Sequence, residues 1–129
     1  MSARGHRTGK DGEEAAARYL ETRGYEILAR RYRTRRGEID LIARRHDVIA
    51  FVEVKTRRPD AGGPQRFGSP LEAVTSTKQA RLTGAAEAWL ATHPGCSAGL
   101  FRFDVISVRA GDDAGPVIVD HIEDAFPAR

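Results

Sequence analysis

Residues Val48–Lys55, VIAFVEVK, constrain this chain more than any other stretch of it. Six of the eight are apolar, and a short apolar run of this kind, bounded by a polar break, predicts a strand covered on both faces near the middle of a sheet. Alternation then places Glu53 and Lys55 on one face, about 7 Å apart, with Val52 and Val54 on the other. Burying a charge without a partner costs several kcal/mol, so a Glu-x-Lys pair in such a strand has to meet something that offsets the cost.

The preceding residues supply a candidate. Glu38-Ile39-Asp40-Leu41-Ile42-Ala43 predicts a strand, and the polar break Arg44-Arg45-His46-Asp47 predicts a hairpin that sets it beside Val48–Lys55. Asp40 then approaches Glu53 and Lys55. Two carboxylates, Asp40 and Glu53, with the backbone carbonyl of Val54, suit a hard divalent cation such as Mg²⁺ or Mn²⁺. Such an ion polarises a phosphate and acidifies a bound water, and Lys55 would orient the water or steady the developing charge. The competing reading is an internal salt bridge of Lys55 with Asp40 or Glu53. The very apolar host strand and the strand–turn–strand spacing favour the metal site. Glu38, two before Asp40 at the strand's start, is a supporting position.

The elements around this pair follow from pattern. Residues 1–10 read as a flexible basic arm, and residues 11–129 as one domain. Asp11, with Glu14 three positions on, has the spacing of a capping box that opens a helix. The helix closes at Gly24. Its inner stripe is Ala16, Ala17, Tyr19 and Leu20, which puts Glu13 on the inward face, able to serve a second metal or its water shell. Glu14 faces Arg18 and is assigned to the cap and a surface ion pair. Tyr25–Arg33 predicts the first strand, followed by the basic turn Thr34–Gly37. Residues 56–68, rich in Gly, Pro and Arg, predict a long loop, and Ser69-Pro70 a short helical turn. A longer helix begins near Thr75 or Ser76, carries Leu82, Ala85, Ala86, Trp89 and Leu90 on one face, and ends before Pro94. Phe101–Val108 predicts a fourth strand and Val117–Ile122 a weaker fifth. The order is αβββαβ with one strand more, an α/β fold with a mixed central sheet flanked by helices.

Composition narrows the partners. Residues 1–58 hold fifteen Lys and Arg against nine Asp and Glu, whereas residues 59–129 hold six against nine. Eighteen of the 21 basic residues are Arg, whose fork matches phosphate oxygens. Arg35, Arg36, Arg57, Arg58, Arg66 and Lys78 flank the proposed site and are the expected nucleic-acid rim. No apolar run approaches the roughly 18 residues that span a bilayer, and Met1–Asp11 lacks the apolar core of a secretory signal. The one cysteine, Cys96, has no internal disulfide partner, and the histidines show no zinc-ligand spacing. A cytoplasmic protein without a membrane partner is expected. Asp104 faces away from Phe103 and Val105 and is assigned to an ion pair with an Arg at the sheet surface.

The motifs GKDGEEAAARYLETRGYEIL, GEIDLIA, FVEVKTR, SPLEAV with Lys78 after it, and RFDVI together resemble the YraN family of small bacterial proteins, from about Gly9 to Phe126. That family is similar to the archaeal Holliday-junction resolvases. The resemblance implies a three-layer, restriction-endonuclease-like (PD-(D/E)xK) fold, with the acidic and lysine positions on Glu13, Asp40, Glu53 and Lys55. It implies an Mg-dependent DNA endonuclease, acting on branched or structured DNA. The alternative is a non-catalytic DNA-binding or adaptor module that keeps the fold, because fold alone does not fix function. Symmetric cutting of a junction would require a homodimer, and no dimer face is marked in the sequence.

Overall fold

The computed structural model describes residues 2–57, 74–96, 99–111 and 115–127. Five strands form one mixed sheet in the order β1-β2-β3-β4-β5. They are β1 (Glu26–Arg33), β2 (Glu38–Arg45), β3 (Val48–Arg57), β4 (Leu100–Arg109) and β5 (Val117–Phe126). The helices are α1 (Ser2–Thr22) and α2 (Ser76–Ala91). β3 and β4 run parallel, joined by the crossover that contains α2, and the other neighbours are antiparallel. The expected element order and the central place of Phe51–Lys55 are both found.

The two faces of the sheet carry separate cores, which makes three layers. On one face Ala16, Ala17 and Leu20 of α1 pack on Leu41, Ala43, Ala50, Val52, Ile106 and Val108. On the other, Leu82, Ala85, Ala86 and Trp89 of α2 pack on Ile42, Ile49, Phe51, Phe103 and Val105. Val52 is fully buried against the α1 side and Val54 is partly buried there, as alternation requires. Glu53 and Lys55 therefore belong to the α2 side.

Some boundaries differ from the reading of the sequence. α1 starts at Ser2, so Asp11 lies inside it and is not its N-cap. No proline interrupts Ser2–Lys10, and a cap-like spacing inside a longer helical run caps nothing. β3 continues past Lys55 to Arg57, because its ladder with β4 extends to Arg57 opposite Arg109. α2 begins as read, its N-cap Thr75 accepting a hydrogen bond from the Lys78 amide. The Ser69-Pro70 turn and most of the 56–68 loop fall outside the described residues.

Two glycines set how closely the layers approach. A Cβ on Gly12 would stand 2.1 Å from Thr56 Oγ1, so α1 touches β3 one residue beyond Lys55. A Cβ on Gly37 would stand 2.2 Å from the Arg81 carbonyl oxygen, so the β1–β2 turn rests on α2.

Candidate active site

The β2–β3 ladder runs from Arg45 opposite Val48 to Leu41 opposite Val52, and the pairing ends there. One residue further along, Asp40 bonds β3 differently: its Oδ2 accepts the Val54 amide at 2.7 Å. A side chain thus replaces a backbone acceptor where the two strands part. Ile39 and Ile42, three residues apart, both join the α2-side core, so alternation is broken across Asp40. The fork lets groups from both layers reach one place. A cleft of 460 Å³ is lined by Glu13 from α1, by Glu38, Asp40, Glu53, Val54 and Lys55 from the sheet, and by Lys78, Arg81 and Leu82 from α2.

The electrostatics of the cleft are unfavourable as they stand. Asp40 is 8% exposed. Burial first, and the neighbouring Glu53 carboxylate second, push its carboxyl up to about 8, against the pull of the Val54 amide. Asp40 and Glu53 are close enough to share a proton, and Glu13 adds further negative potential. Two residues along the same face of β3, the Lys55 ammonium stands 4.0 Å from Glu53. Burial and the adjacent Lys78 lower the Lys55 affinity for its proton, while Glu53 and Asp40 act the other way. Like charges therefore sit in pairs within one cleft, the Asp40 and Glu53 carboxyls and the Lys55 and Lys78 ammonium groups.

Such a donor set fits a hard divalent cation. Asp40 and Glu53 would hold it, because an ion of charge +2 would offset both the burial and the Glu53 repulsion that push the Asp40 carboxyl up. The simple internal salt bridge is only partly present. Lys55 reaches Glu53 at the outer limit of an ion pair, and among the described residues no ion pair joins Lys55 to Asp40.

Among the described residues, no three His, Cys, Asp or Glu side chains converge as a ligand set. The third acid, Glu13, is engaged elsewhere: its Oε1 accepts from Arg31 Nε at 2.7 Å. Glu13 does face the cleft and Glu14 does not, as the helix stripe predicted. Glu14 instead meets Arg18 at 3.4 Å and Arg30 at 2.7 Å. Its capping role falls with that of Asp11.

The expected basic rim divides. Lys78 is inside the cleft, beside Lys55. Arg35 is exposed on the β1–β2 turn, and Arg36 beside it pairs with Glu87 of α2. Arg57 ends β3, whereas Arg58 and Arg66 lie outside the described residues. Arg81 of α2 lines the cleft and was not singled out from the sequence, although its spacing of three from Lys78 places both on one helix face. Arg31 was also missed, since nothing in a run of arginines marks one as facing inward.

Asp104 corrects another expectation. It does pair with Arg102, Oδ1 accepting from Nε at 2.9 Å, but it is wholly buried and not at the sheet surface. Its Oδ2 meets His121 Nε2 at 2.8 Å, and His121 Nδ1 meets the Tyr19 hydroxyl at 3.0 Å. Burial pushes the Asp104 carboxyl up, and the bonds from His121, Arg102 and the Asp124 amide outweigh it, so the net shift is downward. Arg102 also bonds the Tyr25 hydroxyl and Glu123. This network ties α1 to β4 and β5, and so fixes the helix that presents Glu13.

Comparison with known proteins places the chain among relatives of its own size. Residues 12–108 match the description "Uncharacterised protein family UPF0102". A UPF0102 protein of Roseiflexus castenholzii is 43% identical over 95% of this chain and 94% of its own length. Those of Nocardia farcinica and Symbiobacterium thermophilum are 49% and 48% identical, over 92% and 95% of this chain and 87% and 98% of theirs.

Proposed function

We propose that this chain, which belongs to the uncharacterised protein family UPF0102, hydrolyses phosphodiester bonds in DNA with a divalent cation, on a restriction-endonuclease-like fold. The observation that carries the reading is the buried Asp40 carboxyl set against the partly buried Glu53 at the strand fork, with Lys55 beside them in an open cleft. A self-satisfied structural ion pair would not leave one carboxyl pushed up to about 8 next to a second one. The three-layer arrangement with α1 and α2 on opposite faces, and the mixed sheet with the site on adjacent strands β2 and β3, agree with that fold.

Asp40 and Glu53 would hold Mg²⁺ or Mn²⁺, which when bound polarises the scissile phosphate and acidifies a water. The chain's own groups divide the remaining work. Asp40 gives up its proton as the cation arrives, and the Val54 amide holds its carboxylate in place. Lys55 Nζ donates a hydrogen bond to a phosphate oxygen, and Lys78 shares the neutralisation of that phosphate. The mutual repulsion of the two lysines is relieved by a bound anion. Arg81 and Arg35 extend the positive surface outward for the backbone on either side of the cut.

The engagement of Glu13 by Arg31 favours a second reading, a DNA-binding module that retains the fold without catalysis. One assay separates the two. Linear, nicked, flapped and four-way DNA are incubated with the protein and Mg²⁺ or Mn²⁺, alongside Asp40→Asn and Lys55→Ala. Metal-dependent cleavage lost in both variants supports the nuclease. Salt-sensitive binding of every DNA form with no cleavage in any metal supports the module.

A further inference from the structure

Among the described residues, three non-glycine positions have a left-handed backbone: Arg31 (φ 48), His46 (φ 55) and Asp124 (φ 52). His46 is in the tight β2–β3 turn, and the Asp124 amide bonds the buried Asp104. Arg31 has no turn to require its conformation. It lies within β1, between the ladder pairs Arg30–Leu41 and Tyr32–Ile39, and so stands opposite Asp40. A non-glycine residue in this region is strained and persists only where its surroundings compel it.

The group that holds the Arg31 side chain is the Glu13 carboxylate. The Arg31–Glu13 pair is short at 2.7 Å, with side chains 32% and 20% exposed, more enclosed than the other arginine pairs of α1. The Arg31 charge is also felt by Asp40 and Glu38. Glu13 borders two hollows. One is the 460 Å³ cleft with Asp40 and Glu53. The other is a 170 Å³ hollow behind it, lined by Lys10, Glu14, Arg30 and Arg31 among others. Arg31 lines only the second. Its guanidinium therefore engages the Glu13 carboxylate from the side of the second hollow.

We propose that Arg31 is a built-in counter-cation that holds the Glu13 carboxylate out of the carboxylate cluster until a divalent cation competes for it. This rests on the metal-site reading above and makes Arg31 a positioning residue. The guanidinium both occupies Glu13 and contributes a repulsive charge to the approaching ion, so it sets a threshold for metal loading. The proposal accounts for two observations together: a strained arginine inside a strand, and an acid that borders the cleft without completing a ligand set.

The test is Mn²⁺ binding by titration calorimetry without DNA, on wild type, Arg31→Asn, Arg31→Lys, Glu13→Gln and the Glu13→Gln/Arg31→Asn double variant. Asparagine accepts a left-handed backbone, so Arg31→Asn is expected to fold, and Arg31→Gly is the second variant if it does not. Removing one charge a few Å from the ion should tighten Mn²⁺ binding on the order of tenfold. Arg31→Lys should stay near wild type, and the gain should be clearly smaller when Glu13 is already Gln, only the relief of direct repulsion remaining. A folded Arg31→Asn with unchanged or weaker affinity overturns the proposal, as does an equal gain without Glu13. Wild type that binds Mn²⁺ while Arg31→Asn leaves the affinity alone defeats this inference but spares the metal site. No Mn²⁺ uptake by either protein defeats both.

Discussion

Replacing Asp40 by Asn should make the metal-free protein more stable at alkaline pH, an unusual outcome for a buried residue. The Asp40 carboxyl is pushed from 3.8 up to about 8 in the folded state. The folded protein therefore keeps a proton that the unfolded chain releases as pH rises above about 4. Its contribution to stability is full below that value, is lost progressively as pH climbs towards 8, and levels off beyond. The slope in this window is about 1.4 kcal/mol per pH unit, so between pH 5 and pH 8 the group removes about 4 kcal/mol. That is a large share of an ordinary domain's stability of roughly 5–15 kcal/mol. The asparagine side chain has no proton to lose and still offers the Val54 amide an oxygen, at a cost of about 1 kcal/mol for the weaker acceptor. The variant should thus be about 1 kcal/mol less stable than wild type below pH 4, about level with it near pH 5, and about 4 kcal/mol more stable near pH 8. Urea unfolding followed by circular dichroism, in chelator at pH 5, 6, 7 and 8, measures this. Groups that titrate alike in both proteins cancel in the difference. Adding Mn²⁺ at a hundred times its dissociation constant should return about 2.7 kcal/mol to wild type and nothing to the variant. Parallel stability curves for the two proteins across this pH range would refute the carboxyl-pair argument.

Three further expectations concern the frame around the site. Asp104→Asn removes the buried negative charge between Arg102 and His121 and turns one of its two accepting oxygens into a donor, and should lower stability by about 3 kcal/mol in the same urea assay. Gly12→Ala drives a methyl group into Thr56 and should cost about 1–3 kcal/mol, with a larger loss of Mn²⁺ affinity than its stability change implies, because Glu13 is the next residue. Replacing Arg35, Lys78 and Arg81 together by Ala should weaken binding to all DNA sequences and flatten the salt dependence by a slope of roughly 2.7, measured by fluorescence anisotropy between about 50 and 200 mM salt.

What the sequence displayed and what it concealed divide along one physical line. Periodicity reports which face a side chain takes within one element, so the central strand, the Glu53–Lys55 face and the choice of Glu13 over Glu14 were all legible. Asp40 was legible for the same reason, as a charge in an otherwise apolar strand. Features that depend on two elements meeting were not. Asp104 was placed at a sheet surface because alternation cannot say what covers that surface. Here it is α1, whose Tyr19 reaches His121 from the far end of the sequence. The Asp11 capping spacing was sound locally and void in context, since the helix already ran through it.

The strand fork is the most instructive of these hidden features, because it explains why the legible residues can act at all. In a regular ladder Asp40 would sit directly opposite Glu53, its amide and carbonyl committed to β3 and Glu13 shut out behind the sheet. Parting the strands after Leu41 and Val52 frees Asp40 to bond the Val54 amide with its side chain. It also opens a passage between layers, so that an acid from the α1 side and two cations from the α2 side line one cleft. The left-handed Arg31 stands opposite Asp40 at the same fork. Straightening β1 there, as Arg31→Val would favour, should therefore do more than remove a charge. It should restore pairing near Asp40, slow hydrogen exchange at the amides of residues 38–41, and narrow the cleft. Exchange at those amides left as fast as in wild type, in a folded variant, would show that the fork is set by β2 and β3 alone.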